Sequence, residues 1–298
     1  MTTTPNYLTG RTIRGFQLNQ LLGAGRYGAV YQATCDGESI AIKASLRLEE
    51  ARIEAEILQC LVYEKGVAPK YHFEEEEGGL VFIGMELCGQ DLYTLLRATE
   101  NGKFTPKVMQ QLAHHTLCAL EALHSKKIIH RDLKLNNVCV SVPNAKSEVR
   151  VLLIDYGHGW IFQDVKGREV EDRRCLNFGV MLHSSANVAS GLEPTTKDDL
   201  VQLIYLLMQA AGFDFQSVFR MPPPKIVEWK HLLLRDPSSI LTAGLQWLIP
   251  FVDEVSQVIE DAPIDYEEMK IAIRDVVYDS CPEAPLKLVE VNGAPRLE

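Results

Sequence analysis

Between residues 16 and 44, apolar and polar positions alternate in residues that favour strands. The run is broken by Gly-Ala-Gly-Arg-Tyr-Gly at 23–28 and by Asp-Gly-Glu at 36–38. Alternation punctuated by turn residues predicts three antiparallel strands joined by a glycine turn and then a tight hairpin. The period then lengthens. Ile53, Ile57, Leu58 and Leu61 recur at helical intervals with glutamates at the polar positions, which predicts one helix over 48–61. Residues 70–73 and 80–87 read as two further short strands, and the acidic run from Glu74 to Gly79 as the solvated tip between them, with no function assigned to it.

From Leu92 onward the character changes. Residues 91–98 and 107–125 are amphipathic helices, and 200–213 is an apolar run read as a buried helix. Few strands follow except the short pairs flanking Asp132 and Asp155. The chain thus divides near Cys88 to Gln90 into a β-rich N-terminal lobe and a helical C-terminal lobe, an α+β organisation. No internal repeat is evident. The tail over 281–298 is expected to be mostly flexible, and His114 and His115 are packing or surface residues rather than ligands.

Composition fits a globular protein: of 298 residues, 46% are hydrophobic and 23% charged. The net charge of −10, without a long Lys/Arg run, argues against nucleic acid or an anionic membrane as main partner. Any anionic ligand must then be held by a local constellation. Seven scattered cysteines, odd in number and never in C-x-x-C spacing, point to a reduced intracellular chain, cytoplasmic or nuclear. The start lacks the pattern of a signal peptide, and the longest apolar run is interrupted by Gln202 and too short to span a bilayer.

The candidate chemistry begins at Ile128 to Val140, where six polar or charged residues sit between apolar flanks that read as ends of buried strands. Unpaired charge held near the interior is costly, so the cluster needs a role. Its spacing suits phosphoryl transfer to a hydroxyl. Asp132 can accept the proton, Lys134 can neutralise the transferred group, and Asn137 offers an amide oxygen to a divalent cation. Asp155, ending the strand at 151–154, is a second hard oxygen ligand suited to Mg²⁺, and Gly157 permits a sharp turn beyond it. Upstream, Gly23, Gly25 and Gly28 lie between two strands rather than between a strand and a helix, so they read as a hairpin whose backbone approaches phosphates, not a dinucleotide fold. Lys43, on a strand face that must otherwise be apolar, needs an anion. Glu54 on the following helix is the first choice, with Glu50 and Glu56 as fallbacks.

In order and separation, the glycine loop, Ala-Ile-Lys, helical Glu, His-Arg-Asp-Leu-Lys-Leu-Asn-Asn and Asp-Tyr-Gly resemble the protein kinase family over residues 14–280. The resemblance implies a bilobal protein kinase fold, with an extension over 1–13, an N-lobe over 14–87, hinge and C-lobe over 88–280, and a tail over 281–298. It implies ATP and Mg²⁺ as cofactors, protein substrates, and a monomer. Carried over by position, nucleotide-contacting residues would be Leu22, Gly23, Gly25, Gly28, Val30, Ala41, Lys43, Met85, Glu86, Cys88 and Cys139. Met85 would stand behind the adenine, Glu86 would accept its amino group through the backbone carbonyl, and Cys88 would donate its amide. Gly179 to Leu203 is similar to the casein kinase-1 group: Ser185, Ala186 and Asn187 replace Ala-Pro-Glu, and Asp198 and Asp199 open the long helix. By that likeness Asp199 would hold the catalytic-loop amides. Asp-Tyr-Gly is closer to the vaccinia-related branch, and the intact His-Arg-Asp to casein and tau-tubulin kinases.

Several positions depart from the pattern. No Ser, Thr or Tyr lies between His158 and Gly179, so phosphorylation cannot order that loop, and Glu169, Glu171 or Asp172 is expected to meet Arg131 instead. Val180 replaces a threonine whose hydroxyl could bridge Asp132 and Lys134, and Leu182 replaces an arginine. With Lys166, Arg168, Arg173 and Arg174 set against Asp164, Glu169, Glu171, Asp172 and Glu193, only a weak preference for acidic acceptor sites is expected. Lys134 fits a serine/threonine enzyme. The alternatives are a catalytically idle pseudokinase scaffold of the same fold and, further off, an ATPase or small-molecule kinase.

Overall fold

The structure is a computed structural model that describes residues 7–64, 66–142, 148–164, 166–172, 183–242, 244–259, 262–274, 281–291 and 293–298. Strands β1 (Thr12–Ile13), β2 (Phe16–Ala24), β3 (Gly28–Cys35) and β4 (Glu38–Ser45) precede helix α1 (Leu48–Cys60), and β5 (Tyr71–Glu77) and β6 (Leu80–Glu86) follow it. They form one antiparallel sheet in the order β1-β2-β3-β4-β6-β5. The β3–β4 hairpin closes through Asp36 and Gly37, both at positive φ (48° and 85°). Two such residues give the mirror-image turn that suits the strand twist.

Cross-strand partners share a face, which divides this sheet's work in two. Val30, Lys43 and Ile83 are partners in one row and Ala41 and Met85 in the next. Ala41, Ile83 and Met85 belong to the large core that continues into the helical lobe. Tyr31, Ile42, Ala44 and Phe82 form a second core on the opposite face, closed by Leu8 and Ile13. Those two residues, expected in an extension ahead of the domain, are 3% and 2% exposed.

The acidic run departs from expectation. Glu74 to Glu77 lie within β5, and the tip is only Gly78-Gly79, both at positive φ. Arg11 pairs with Glu77 at 2.7 Å, Arg52 of α1 with Glu76 at 2.5 Å, and Arg14 with Glu75. β5 is an edge strand, where charge on the outward positions is tolerated and counter-charges can dock.

The second lobe starts with β7 (Cys88–Asp91) and continues through α2 (Leu92–Arg97), α3 (Pro106–Ser125), β8 (Ile128–Ile129), β9 (Val138–Ser141), β10 (Val151–Leu153), β11 (Trp160–Ile161), α4 (Ala186–Ala189), α5 (Thr196–Ala210), α6 (Gln216–Phe219), α7 (Pro223–Arg235), α8 (Ile249–Gln257) and α9 (Tyr266–Arg274). Thr105 caps α3 by accepting from the Val108 amide, with Pro106 at the first helical position, and Thr195 and Asp198 form a reciprocal capping box at α5. α5 is buried nearly all round, as its apolar run predicts. Among the described residues, no helix is long and apolar enough to cross a membrane.

The tail also differs from expectation. β12 (Leu288–Val291) and β13 (Ala294–Leu297) form a hairpin, Leu286 bridges to Val149, and Leu286 and Leu297 are 2% and 6% exposed. Burial of those leucines offsets the entropy of ordering the tail. Gln111 and His115 of α3 both bond the Ala284 carbonyl, at 3.3 and 3.0 Å.

Candidate active site

Lys43 stands mid-strand on the cleft face of β4, and its Nζ lies 2.5 Å from Glu54 Oε2 and 2.7 Å from Asp155 Oδ1. Glu54 is reached because it lies on the buried stripe of α1 with Ala51, Ala55 and Leu58; Glu50 pairs instead with Arg47 and Glu56 is exposed. Burial works against the Lys43 ammonium, but the Asp155 and Glu54 carboxylates outweigh it and raise Lys43 above the usual lysine range. Lys43 in turn holds Asp155 far below the ordinary carboxylate range. Asp155 takes a left-handed backbone conformation (φ 64°), a strained setting of the kind that collects at functional sites.

The second half of the site is built on the turn between β8 and β9. Lys134 Nζ and Asn137 Nδ2 both donate to Asp132 Oδ2, at 2.7 and 2.9 Å, and Asn137 Nδ2 also donates to the Asp132 carbonyl at 2.8 Å. The amide nitrogen is thereby occupied, and its oxygen is the end suited to a cation. The β9–β10 pairing carries on to an Ile154 N–H bond to the Asn137 carbonyl, 2.9 Å, so Asn137 faces Ile154 and Asp155 follows it at the end of the same ladder. Two hard oxygen donors, one of them an ionised, lysine-held carboxylate, fit a Mg²⁺-type ion.

The turn itself is pinned from below by α5. Asp199, fully buried, accepts from the His130 and Arg131 amides, both at 2.8 Å, as the family likeness implies. Gln202 accepts from the Leu133 amide at 2.6 Å and donates to the Arg131 carbonyl at 2.8 Å. The sequence carries a signal for Gln202, a polar position interrupting an apolar helix, though pattern alone assigns it no role.

Of the three loop acids, Asp172 reaches Arg131. The two side chains are 9% and 1% exposed, and the guanidinium also lies 4.5 Å over the Trp160 ring. Glu169 and Glu171 are on the surface. Arg168 is engaged by Asp164 at 2.6 Å. Gly179, Val180, Leu182, Arg173 and Arg174 lie outside the described residues.

A cavity of about 470 Å³ gathers Gly23, Gly25, Gly28, Val30, Lys43, Glu54, Asp155, Gly157 and His158. At Gly28 a Cβ would fall 2.8 Å from the Ala44 carbonyl, which only glycine avoids; Gly23 faces open space, and at Gly25 a Cβ would meet the Gly28 carbonyl at an ordinary 4.0 Å. The other positions carried over for adenine are not part of that cavity's lining and fall in two groups. Ala41 and Met85 are partners on the cleft face of β4 and β6, while Cys88 and Cys139 lie on adjacent β7 and β9. Leu22, on β2, is 45% exposed. Burial pushes the Cys88 thiol up to about 12 and raises Cys139 likewise, so both present neutral, apolar sulfur. Glu86 at the lobe junction is fixed through its side chain by Arg150 at 2.7 Å.

Two histidines were not foreseen. His158 Nδ1 lies 3.9 Å from Asp132 Oδ2. His183, which burial pushes down to about 4, is neutral within the electrostatic reach of Asp132 and Lys134.

A sheet lobe and a helical lobe that meet at one lysine shared by two carboxylates define the protein kinase class of fold. A family model described as the protein kinase domain matches residues 16–172, and the chain belongs to that family. The solved structure of vaccinia related kinase 3 is similar to this chain, with a TM-score of 0.78 at 17% sequence identity, covering 93% of this chain and 93% of that one. Covering 93% of this chain, this likeness in fold extends beyond residue 172, where the family model ends.

Proposed function

We propose that this protein kinase is an ATP- and Mg²⁺-dependent serine/threonine kinase, related to the casein kinase-1 group, whose catalytic loop is set by a carboxylate rather than by a phosphorylated residue. The observation that carries the reading is the Lys43 ammonium shared between Glu54 and Asp155. It ties α1 to the metal-ligand strand and leaves one cation facing the phosphate cavity.

Each described bond to the Asp132 carboxylate falls on Oδ2, so Oδ1 is the atom that takes the proton of an acceptor Ser or Thr hydroxyl. Lys134 would stand at the phosphoryl group in transfer. Asn137 and Asp155 would hold Mg²⁺, which when bound offsets the charge of the triphosphate. Gly23, Gly25 and Gly28 allow backbone amides to approach the phosphates, and Lys43 supplies a fixed charge there. The Arg131–Asp172 pair supports loop ordering without modification, and the Arg168–Asp164 pair supports a weak preference for acidic acceptors. Six unpaired cysteines among the described residues support a reduced, cytoplasmic or nuclear setting.

The test is transfer of radiolabel from γ-labelled ATP to a mixed protein extract. Phosphoserine and phosphothreonine are expected, with at least a ~10³-fold loss in Asp132→Asn. Nucleotide binding without transfer would establish the pseudokinase alternative, and label released only to water or a metabolite would overturn the protein-kinase assignment of substrate.

A further inference from the structure

Asp199 does not hold the catalytic loop alone. His124, in the last turn of α3, places Nε2 2.9 Å from Asp199 Oδ2, and its Nδ1 is bonded to the hydroxyl of Tyr266 at the start of α9. Asp199 is fully buried, and His124 and Tyr266 are each 7% exposed. We propose that Tyr266 is a positioning residue for phosphoryl transfer: its hydroxyl fixes the tautomer of His124, and His124 thereby holds Asp199 against the His130 and Arg131 amides. The proposal rests on the kinase reading and extends it to a helix more than 130 residues from the catalytic aspartate.

The hydrogen bookkeeping permits one arrangement of the neutral ring. Asp199 is ionised: burial opposes its charge, but the His124 bond and the loop amides outweigh that and hold it below the usual carboxylate range. A carboxylate only accepts, so Nε2 must carry the hydrogen, which leaves Nδ1 an acceptor. Burial, and then the Asp199 charge, raise Tyr266 above the usual phenol range, so its O–H is intact and donates to Nδ1. The chain runs Tyr266 O–H to Nδ1, Nε2–H to Asp199 Oδ2, with Oδ2 also accepting from His130 N–H and Oδ1 from Arg131 N–H.

Without the hydroxyl, the imidazole is free to carry its hydrogen on Nδ1 and turn a lone pair toward Asp199. That repulsion loosens the carboxylate that sets the Asp132 backbone. Few other groups compete. α5 presents Asp199 and α9 presents Tyr266, the facing β8 and β10 are apolar, and His130 follows β8. Charges on the α3–α9 face include Glu121 and Glu267, each bonded to Lys270 at 2.7 Å, and Arg274, which pairs with Glu283, while Asp198 precedes Asp199 on α5.

Full-length Tyr266→Phe tests this by two readouts. In ¹⁵N imidazole spectra of the wild type, His124 should appear only as the Nε2–H tautomer at pH 7–8; an Nδ1–H signal there would overturn the proposal even if the variant did not fold. In Tyr266→Phe the tautomers should mix. The variant's kcat should fall ~5–20-fold with little change in KM for ATP. A fall of that size with His124 still wholly in the Nε2–H tautomer would mean that Tyr266 only packs. In a His124→Gln background, where the amide donates to Asp199 without a tautomer to fix, adding Tyr266→Phe should cost less than about twofold; an undiminished cost would also overturn the proposal. If the wild type transfers no phosphate, the kinase reading fails, while the tautomer measurement still decides the role of Tyr266.

Discussion

Asp172→Asn removes one charge from a nearly dry ion pair while keeping its shape. The Arg131 side chain is 1% exposed and that of Asp172 is 9%, so water does little to replace the lost carboxylate. Breaking a buried pair by deleting one partner costs ~3–5 kcal/mol, and the amide oxygen of Asn restores part of a hydrogen bond to a charged donor. The stacking of Arg131 on Trp160 is common to both proteins and cancels. The expected net loss is ~2–3 kcal/mol, or about 3–5 °C in Tm for a chain of this size. Because Arg131 is the neighbour of Asp132, kcat should also fall ~10-fold while KM for ATP stays within about twofold. Thermal melts and steady-state transfer assays read both, with Glu169→Gln as an exposed comparison within about 0.5 kcal/mol of wild type. Unchanged Tm and kcat in Asp172→Asn, or a larger loss in that comparison, would refute the argument that this carboxylate sets the loop.

Two other changes follow from buried polar groups. Lys230 of α7 bonds the Ser184 carbonyl and lies over the Tyr205 ring, and burial lowers it to about 7. The unfolded chain keeps this proton up to the ordinary lysine range while the folded one releases it near 7, so stability should rise from about pH 7 toward 10, by at most ~1.4 kcal/mol per unit. Urea titrations should show that slope flattened in Lys230→Met, and an equal slope in both proteins would count against it. The Tyr156 hydroxyl is fully buried and finds no hydrogen-bond partner among the described residues. Tyr156→Phe should therefore raise stability by ~1 kcal/mol in the same titration, and a loss of that size would show that the hydroxyl is satisfied.

What the sequence disclosed depended on distance along the chain. The Lys43–Glu54 pair was legible because a strand position with no apolar alternative and a helix face lie eleven residues apart; period 3.6 even favours Glu54, which shares a stripe with Ala51, Ala55 and Leu58. The Asp132, Lys134 and Asn137 cluster was legible for the same reason. The Tyr266–His124–Asp199 chain was not, since its members stand 142 and 75 residues apart and each looks ordinary in its own helix. Nor could local pattern place Glu74 to Glu77 in a strand, because their counter-charges come from Arg11, Arg14 and Arg52. The tail was read as loose because its leucines find their burial against Val149 and α2 rather than within the segment.

The arginine-studded rim of β5 bears on how such a sheet avoids its own kind. A bare outer strand offers a row of amides and carbonyls to any second chain, and six extended residues are enough to template a fibril. Here an incoming strand would have to lie beside four consecutive glutamates and displace three guanidinium groups already seated on them. The rim that is worth little to folding energy is, for solubility, a barrier to polymerisation.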